Sequence, residues 1–158
     1  MKILEEKIAD QLWKKIYNDF CFTSSCTKEK YCWINLPEPH KKYLLQNVWN
    51  KEEEKLVNSF FEELAEGDLF ALNWQHDSFV FSPKEHIPAN FEFYDESRNC
   101  NVYFPTYYPD GDYYFFFDRD YKIALFGHPW LKEIIVLGKE LIQKFDSHLN
   151  ELKIVESC

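Results

Sequence analysis

The chain has 158 residues, of which 46% are hydrophobic and 19% aromatic, enough to bury one core without disulfides or a structural metal. With 4 Gly and 7 Pro it is too poor in both for a disordered or low-complexity chain. A net charge of −9, from 27 acidic against 18 basic side chains, repels phosphate backbones and anionic lipid, so neither nucleic acid nor a membrane is an expected partner.

The opening stretch MKILEEKIADQLWKK has acids where a signal peptide requires an apolar core. No apolar run approaches the roughly 18 residues of a membrane span. Within it, Ile8, Leu12, Ile16 and Phe20 recur at helical spacing beside Trp13 and Tyr17, which predicts an amphipathic helix over about residues 3–20. Residues 21–47, with their Ser, Cys and Thr and the Pro37-Glu38-Pro39 step, read as irregular chain with room for one short strand. The 5 cysteines, Cys21, Cys26, Cys32, Cys100 and Cys158, are odd in number and contain no C-x-x-C pair, so free thiols in a reducing cytoplasm are expected. Cys21, Cys26, Cys32 and His40 have steps too long for the usual zinc knuckle, so no metal is expected.

Asn50 and Glu53 have the spacing of a capping box. They open a second helix over 51–66 with the stripe Leu56, Val57, Phe60, Phe61 and Leu64, and Gly67 stands where a left-handed residue closes such a helix. Beyond Gly67 the period becomes two. Phe70, Leu72 and Trp74 share one strand face, and Phe79 and Phe81 face inward on the next strand. Pro83 and Pro88 bound a loop, and Asn101–Phe104 is a short strand. Tyr113–Phe117 and Tyr121–Phe126 flank Asp118-Arg119-Asp120 as an antiparallel hairpin. A strand over 132–137 and a helix over 139–150 follow, and Ile154–Cys158 reads as a loose tail. The expected fold is a single α+β domain, residues 1–158. An antiparallel sheet of about five or six strands, between about 69 and 137, is packed by two or three helices.

Polar and special residues concentrate at Asn73-Trp74-Gln75-His76-Asp77 and from Tyr107 to Trp130. His76 and His128, with Asp77, Asp110 or Asp112 to orient them, suit general acid–base chemistry. Each feature also has a plain structural reading. Pro109-Asp110-Gly111-Asp112 is tight-turn chemistry, Trp74 and Trp130 can anchor a core, and His128 at a strand exit can donate to a backbone carbonyl. No H-E-x-x-H, phosphate-cradling Gly loop, G-x-S-x-G elbow or thiol pair is present, and no cofactor is expected.

Three blocks carry a resemblance to a known family: Ala71-Leu72-Asn73-Trp74-Gln75-His76-Asp77, Tyr108-Pro109-Asp110-Gly111-Asp112-Tyr113-Tyr114, and Phe126-Gly127-His128-Pro129-Trp130, closed by Gly138-Lys139-Glu140-Leu141. Their order resembles the bacterial family catalogued as domain of unknown function 2716. The Trp13–Phe22 helix and the Pro37-Glu38-Pro39 step are also similar, so the resemblance spans most of the chain. Asn73 departs from it where an Asp is expected. By analogy with other small acidic bacterial proteins, the resemblance implies a cytoplasmic protein-binding module of immunity or antitoxin type that neutralises a basic toxin domain. Its expected contact residues are Trp74, Gln75, His76, Asp77, Tyr107, Tyr108, Asp110, Asp112, His128 and Trp130. Composition sets no oligomeric state. The alternative is a small enzyme using His76, His128 and Asp77.

Overall fold

In the structure, a computed structural model that describes residues 1–24 and 32–157, the chain begins β1 (Lys2–Ile3), α1 (Glu6–Asp19), β2 (His40–Leu45), α2 (Lys51–Leu64), β3 (Leu69–Asn73) and β4 (Phe79–Phe81). A 3-10 turn over Pro83–Glu85 leads to β5 (Glu92–Asp95), β6 (Cys100–Tyr103), β7 (Tyr114–Asp118), β8 (Ala124–His128) and β9 (Glu133–Leu137). The chain then runs through α3 (Lys139–Asp146), α4 (Leu149–Leu152) and β10 (Ile154–Glu156). Eight strands form one sheet in the order β1-β4-β3-β7-β8-β9-β2-β10, and β5 with β6 forms a separate two-stranded sheet. All of these pairings are antiparallel.

The period-two pattern explains why the sheet is buried on both faces. Phe116 lies beside Leu125, and Leu125 beside Val136, all in the layer with Val57, Phe60 and Phe61 of α2 and Leu141 and Phe145 of α3. Their neighbours Phe115, Phe126 and Ile135 point the other way, into the layer with Ile16 and Phe20 of α1 and with Trp33 and Ile34. Covered on both sides, β8 and β9 are buried throughout and are apolar except at His128 and Glu133, which stand opposite each other at the strand ends. The rings meet edge-on and tilted, as Phe22 does against Phe115 at 5.2 Å and Phe115 against Phe126 at 5.0 Å.

The fold class is α+β, with more strands than five or six. The one short strand allowed within 21–47 is β2, and it is an inner strand between β9 and β10. The expected loose tail is β10, paired with β2 from Ile154 opposite Leu45 to Glu156 opposite Tyr43. Lys2 and Ile3 leave the first helix to pair with β4, so that helix opens at Glu6. The last helix is divided: Ser147 Oγ–H donates to the Gln143 carbonyl, and a turn at Ser147–His148 separates α3 from α4. The capping box at Asn50 and Glu53 is present. Gly67 does not take the left-handed conformation; α2 closes at Ala65, whose backbone turns extended at φ −73° and ψ 126°. Cys26 and Cys158 lie outside the described residues, and Cys21, Cys32 and Cys100 are free thiols.

Candidate functional site

Asn73 at the end of β3, Tyr114 at the start of β7 and Gly127 near the end of β8 are cross-strand neighbours, so three loops meet at this end of the sheet. Asp112 fastens two of them. Its Oδ1 accepts from its neighbour's backbone N–H at Tyr113 (2.7 Å), and its Oδ2 accepts from Gln75 N–H (3.0 Å). Burial pushes the Asp112 carboxyl up, while the Tyr113 and Gln75 amides and the nearby His76 favour its ionised form. The His76 ring, half exposed, places Nδ1 at 3.3 Å from Asn73 Oδ1 and 3.7 Å from Asp112 Oδ2.

Asp77 is engaged elsewhere. Arg98 donates to it through Nη1 and Nη2 at 2.8 and 3.0 Å and to Asp95 through Nε at 2.7 Å. This fork ties the β5–β6 hairpin to the β3–β4 loop, and Ser97 and Arg98 hold the Asp95 carboxyl down at about 2.

His128 is fully buried in the layer under α1, against Trp33 at 5.1 Å and Tyr113 at 4.8 Å. Its Nδ1 accepts from the Leu131 backbone N–H (3.2 Å) and its Nε2 lies 3.2 Å from Tyr113 Oη. The ring thus receives a backbone amide at Nδ1. Trp74 and Trp130 both stand edge-on to Tyr113, at 5.6 and 5.4 Å, and Trp74 Nε1–H donates to Tyr17 Oη. His76 stands beyond the end of β3, where it lines the cleft with Asn73 and Tyr114 and also a hollow with Trp13 of α1, whereas His128 is buried against Trp33 and Tyr113. These contacts do not bring the two imidazoles together.

On the His76 side, a cleft of about 480 Å³ is lined by Asn73, His76, Glu92, Tyr103, Asp110 and Tyr114, among others. A hollow of about 220 Å³ adjoins it, shares Asn90, Thr106 and Asp110 with it, and has Trp49, Tyr108 and Glu54 in its wall. Tyr103 (45% exposed) and Tyr94 (54%) stand on the outer face of the β5–β6 hairpin, at positions where the alternation of that hairpin turns side chains to solvent. Tyr114 Oη–H donates to the Asp110 carbonyl (3.0 Å), and burial together with Asp112 and Asp110 pushes that hydroxyl up to about 12. Asp110 projects from the turn containing Gly111, whose φ of +88° suits glycine. Tyr107 and Tyr108 are both largely buried: Tyr107 stacks on Phe61 at 5.4 Å, and Tyr108 shows only an edge to the smaller hollow.

Glu54 has no counterpart among the residues singled out from the sequence. It is buried and accepts from the backbone N–H groups of Tyr107 and Tyr108, both at 2.9 Å. Burial pushes its carboxyl up to about 7, against the pull of those two amides. The signal was present in the helix register, since Glu54, Val57 and Phe61 share the buried stripe of α2. The run Lys51-Glu52-Glu53-Glu54-Lys55 hides it by resembling an ordinary solvated face. Among the described residues, Glu54, Glu92 and Asp110 form no ion pair. No group of three or more His, Cys, Asp and Glu side chains is gathered for a metal among those residues, and Cys26 of the possible zinc set lies outside them.

Comparison with known proteins gives one family: the model described as "Protein of unknown function (DUF2716)" matches residues 3–142. "Uncharacterized protein YxiI" of Bacillus subtilis (strain 168) is 40% identical over 79 residues, which cover 50% of this chain and 44% of that relative. The match thus spans less than half of the relative's length. No solved structure matches.

Proposed function

The chain belongs to the DUF2716 family of unknown function, and on that footing we propose that it is a binding protein of immunity or antitoxin type that takes a basic partner domain at the acidic, ring-walled cleft. The observation that carries this reading is the pair Glu92 and Asp110 on the wall of the cleft, carboxylates that form no ion pair among the described residues. A Lys or Arg side chain of a partner entering between Tyr103, Tyr114 and His76 meets carboxylates and ring faces together. Each cation–ring contact of this kind is worth about 0.5–2 kcal/mol. The exposed Tyr94 and Tyr103 beside the opening supply rigid contact area of the type found at the centre of protein interfaces. A net charge of −9 accelerates encounter with a basic domain and makes the rate fall with salt.

His76 beside Asp112, at 3.7 Å, is the one feature that favours the enzymatic alternative. His128 is engaged elsewhere, buried against Trp33 and Tyr113. No helix among the described residues is long and apolar enough to cross a membrane, and a cytoplasmic location forms part of the proposal. The reading predicts a neighbouring gene that encodes a basic toxin domain, and co-purification of that domain with this chain at low salt, weakening at high salt. Absence of co-purification at both salt concentrations contradicts it.

A further inference from the structure

At the opposite end of the sheet, where Leu69 pairs with Asp118, lies a second groove of about 550 Å³. Its floor is apolar: Leu4, Ile8, Phe70 and Val80. The register of α1 explains why this floor is uncovered. Ile16 is fully buried and Trp13 rests on Phe115 at 5.6 Å, so the helix sits over the middle of the sheet. Ile8 then projects beyond that cover at 40% exposure, over the outward faces of Phe70 and Val80, which are themselves cross-strand neighbours. Phe70 is held from the side by its cross-strand neighbour Phe117, ring to ring at 5.7 Å.

The rim has one dominant sign. Glu66 and Asp68 stand on the α2–β3 turn, Asp118 and Asp120 on the β7–β8 turn, and Arg119 is the cation among these lining residues. Lys122 lies 3.6 Å from Glu66, both side chains well exposed, so that pair is screened by solvent. Asp118 is held in place, because its Oδ1 accepts from the backbone N–H groups of Lys122 (2.7 Å) and Ile123 (3.1 Å). An apolar floor inside a fixed acidic frame selects by two criteria at once. Apolar side chains are needed to fill the floor, and basic ones to meet the rim. Anionic surfaces are repelled.

We propose that this groove docks a basic amphipathic segment of a partner protein, one that sets Leu-, Ile- or Phe-type side chains against Ile8, Phe70 and Val80 and Lys or Arg against Asp68 and Asp120. The groove is separate from the cleft at the Asn73 end, and its use does not depend on the function proposed for that cleft. A titration of the isotope-labelled full chain with a short synthetic Leu/Lys peptide of helical apolar spacing, followed by amide chemical shifts, tests it. Saturable shifts are expected at Ile8, Gly67, Phe70, Val80 and Arg119. Binding should weaken at least tenfold in Ile8→Glu and, independently, in the Asp68→Lys, Asp120→Lys double variant, each checked for native near-ultraviolet dichroism. A scrambled peptide of the same composition should bind at least tenfold more weakly. Equal binding of the scrambled peptide overturns the proposal, because charge alone would then suffice. Shifts confined to Tyr103, Asp110 and their neighbours overturn it while supporting the cleft, and the absence of any saturable shift overturns it as well.

Discussion

Glu54 is where the physical tension of the molecule is greatest. A carboxyl buried beside Glu53 and Asp110 resists ionisation, yet the amides of Tyr107 and Tyr108 reward it. With its folded pKa near 7, above the ordinary carboxylate value, the folded state binds this proton more readily than the unfolded state. Its contribution to stability is therefore full below about 4.5 and is lost as pH rises through about 7, by an amount on the order of 2–3 kcal/mol. Glu54→Gln removes that slope. Urea denaturation at pH 5 and pH 8 should show the wild type losing stability relative to the variant as pH rises, whereas an offset independent of pH contradicts the assignment. Of the residues picked from sequence, Asp112, His76, Trp74 and Trp130 do converge at one end of the sheet, because they flank strands whose pairing the alternation predicts. Tyr107 and Tyr108 were legible as ring-rich chain but not as core, since their burial depends on α2 and its Glu54, which are distant in sequence.

Among elements, the Pro109–Tyr113 turn and β8 illustrate how a strand positions the cleft. A Cβ on Gly127 would come within 2.8 Å of Pro109 Cβ, so the turn that carries Asp110 packs directly onto a glycine. Gly127→Ala should cost about 1–3 kcal/mol in chemical denaturation, as overpacking does, and should displace the Asp110 amide resonance. Gly67→Ala serves as the contrast: its added Cβ meets nothing within 4 Å, and a change within about 0.5 kcal/mol is expected. Equal costs at the two sites contradict the packing account. β7, β8 and β9 were readable because strands covered on both faces carry unbroken apolar runs, such as Phe115–Phe117 and Ile134–Leu137. β2 was legible only as room for one short strand within 21–47, because His40, Lys41 and Lys42 look like solvated chain. In the fold Lys41 Nζ pairs with Asp146 at 2.8 Å and with Glu156, satisfying its charge at the margin of the core. β10 has three residues and no pattern of its own; the edge of β2 specifies it.

At the scale of the whole molecule, acidity and aromatic content act together. The rings fill two layers around one sheet, and carboxylates stand around both the cleft and the groove at its two ends. The fold class followed from periodicity, while the exposed hairpin face with Tyr94 and Tyr103 emerged only once β5 and β6 paired. Charge reversal at the cleft is the most direct test of the central proposal. The affinity of the proposed basic partner domain should be measured calorimetrically for the wild type and for the Glu92→Lys, Asp110→Lys double variant. The account predicts a loss of at least tenfold, about 1.4 kcal/mol, with the circular dichroism of the fold unchanged. Undiminished affinity in the double variant, or no binding by the wild type, would contradict it.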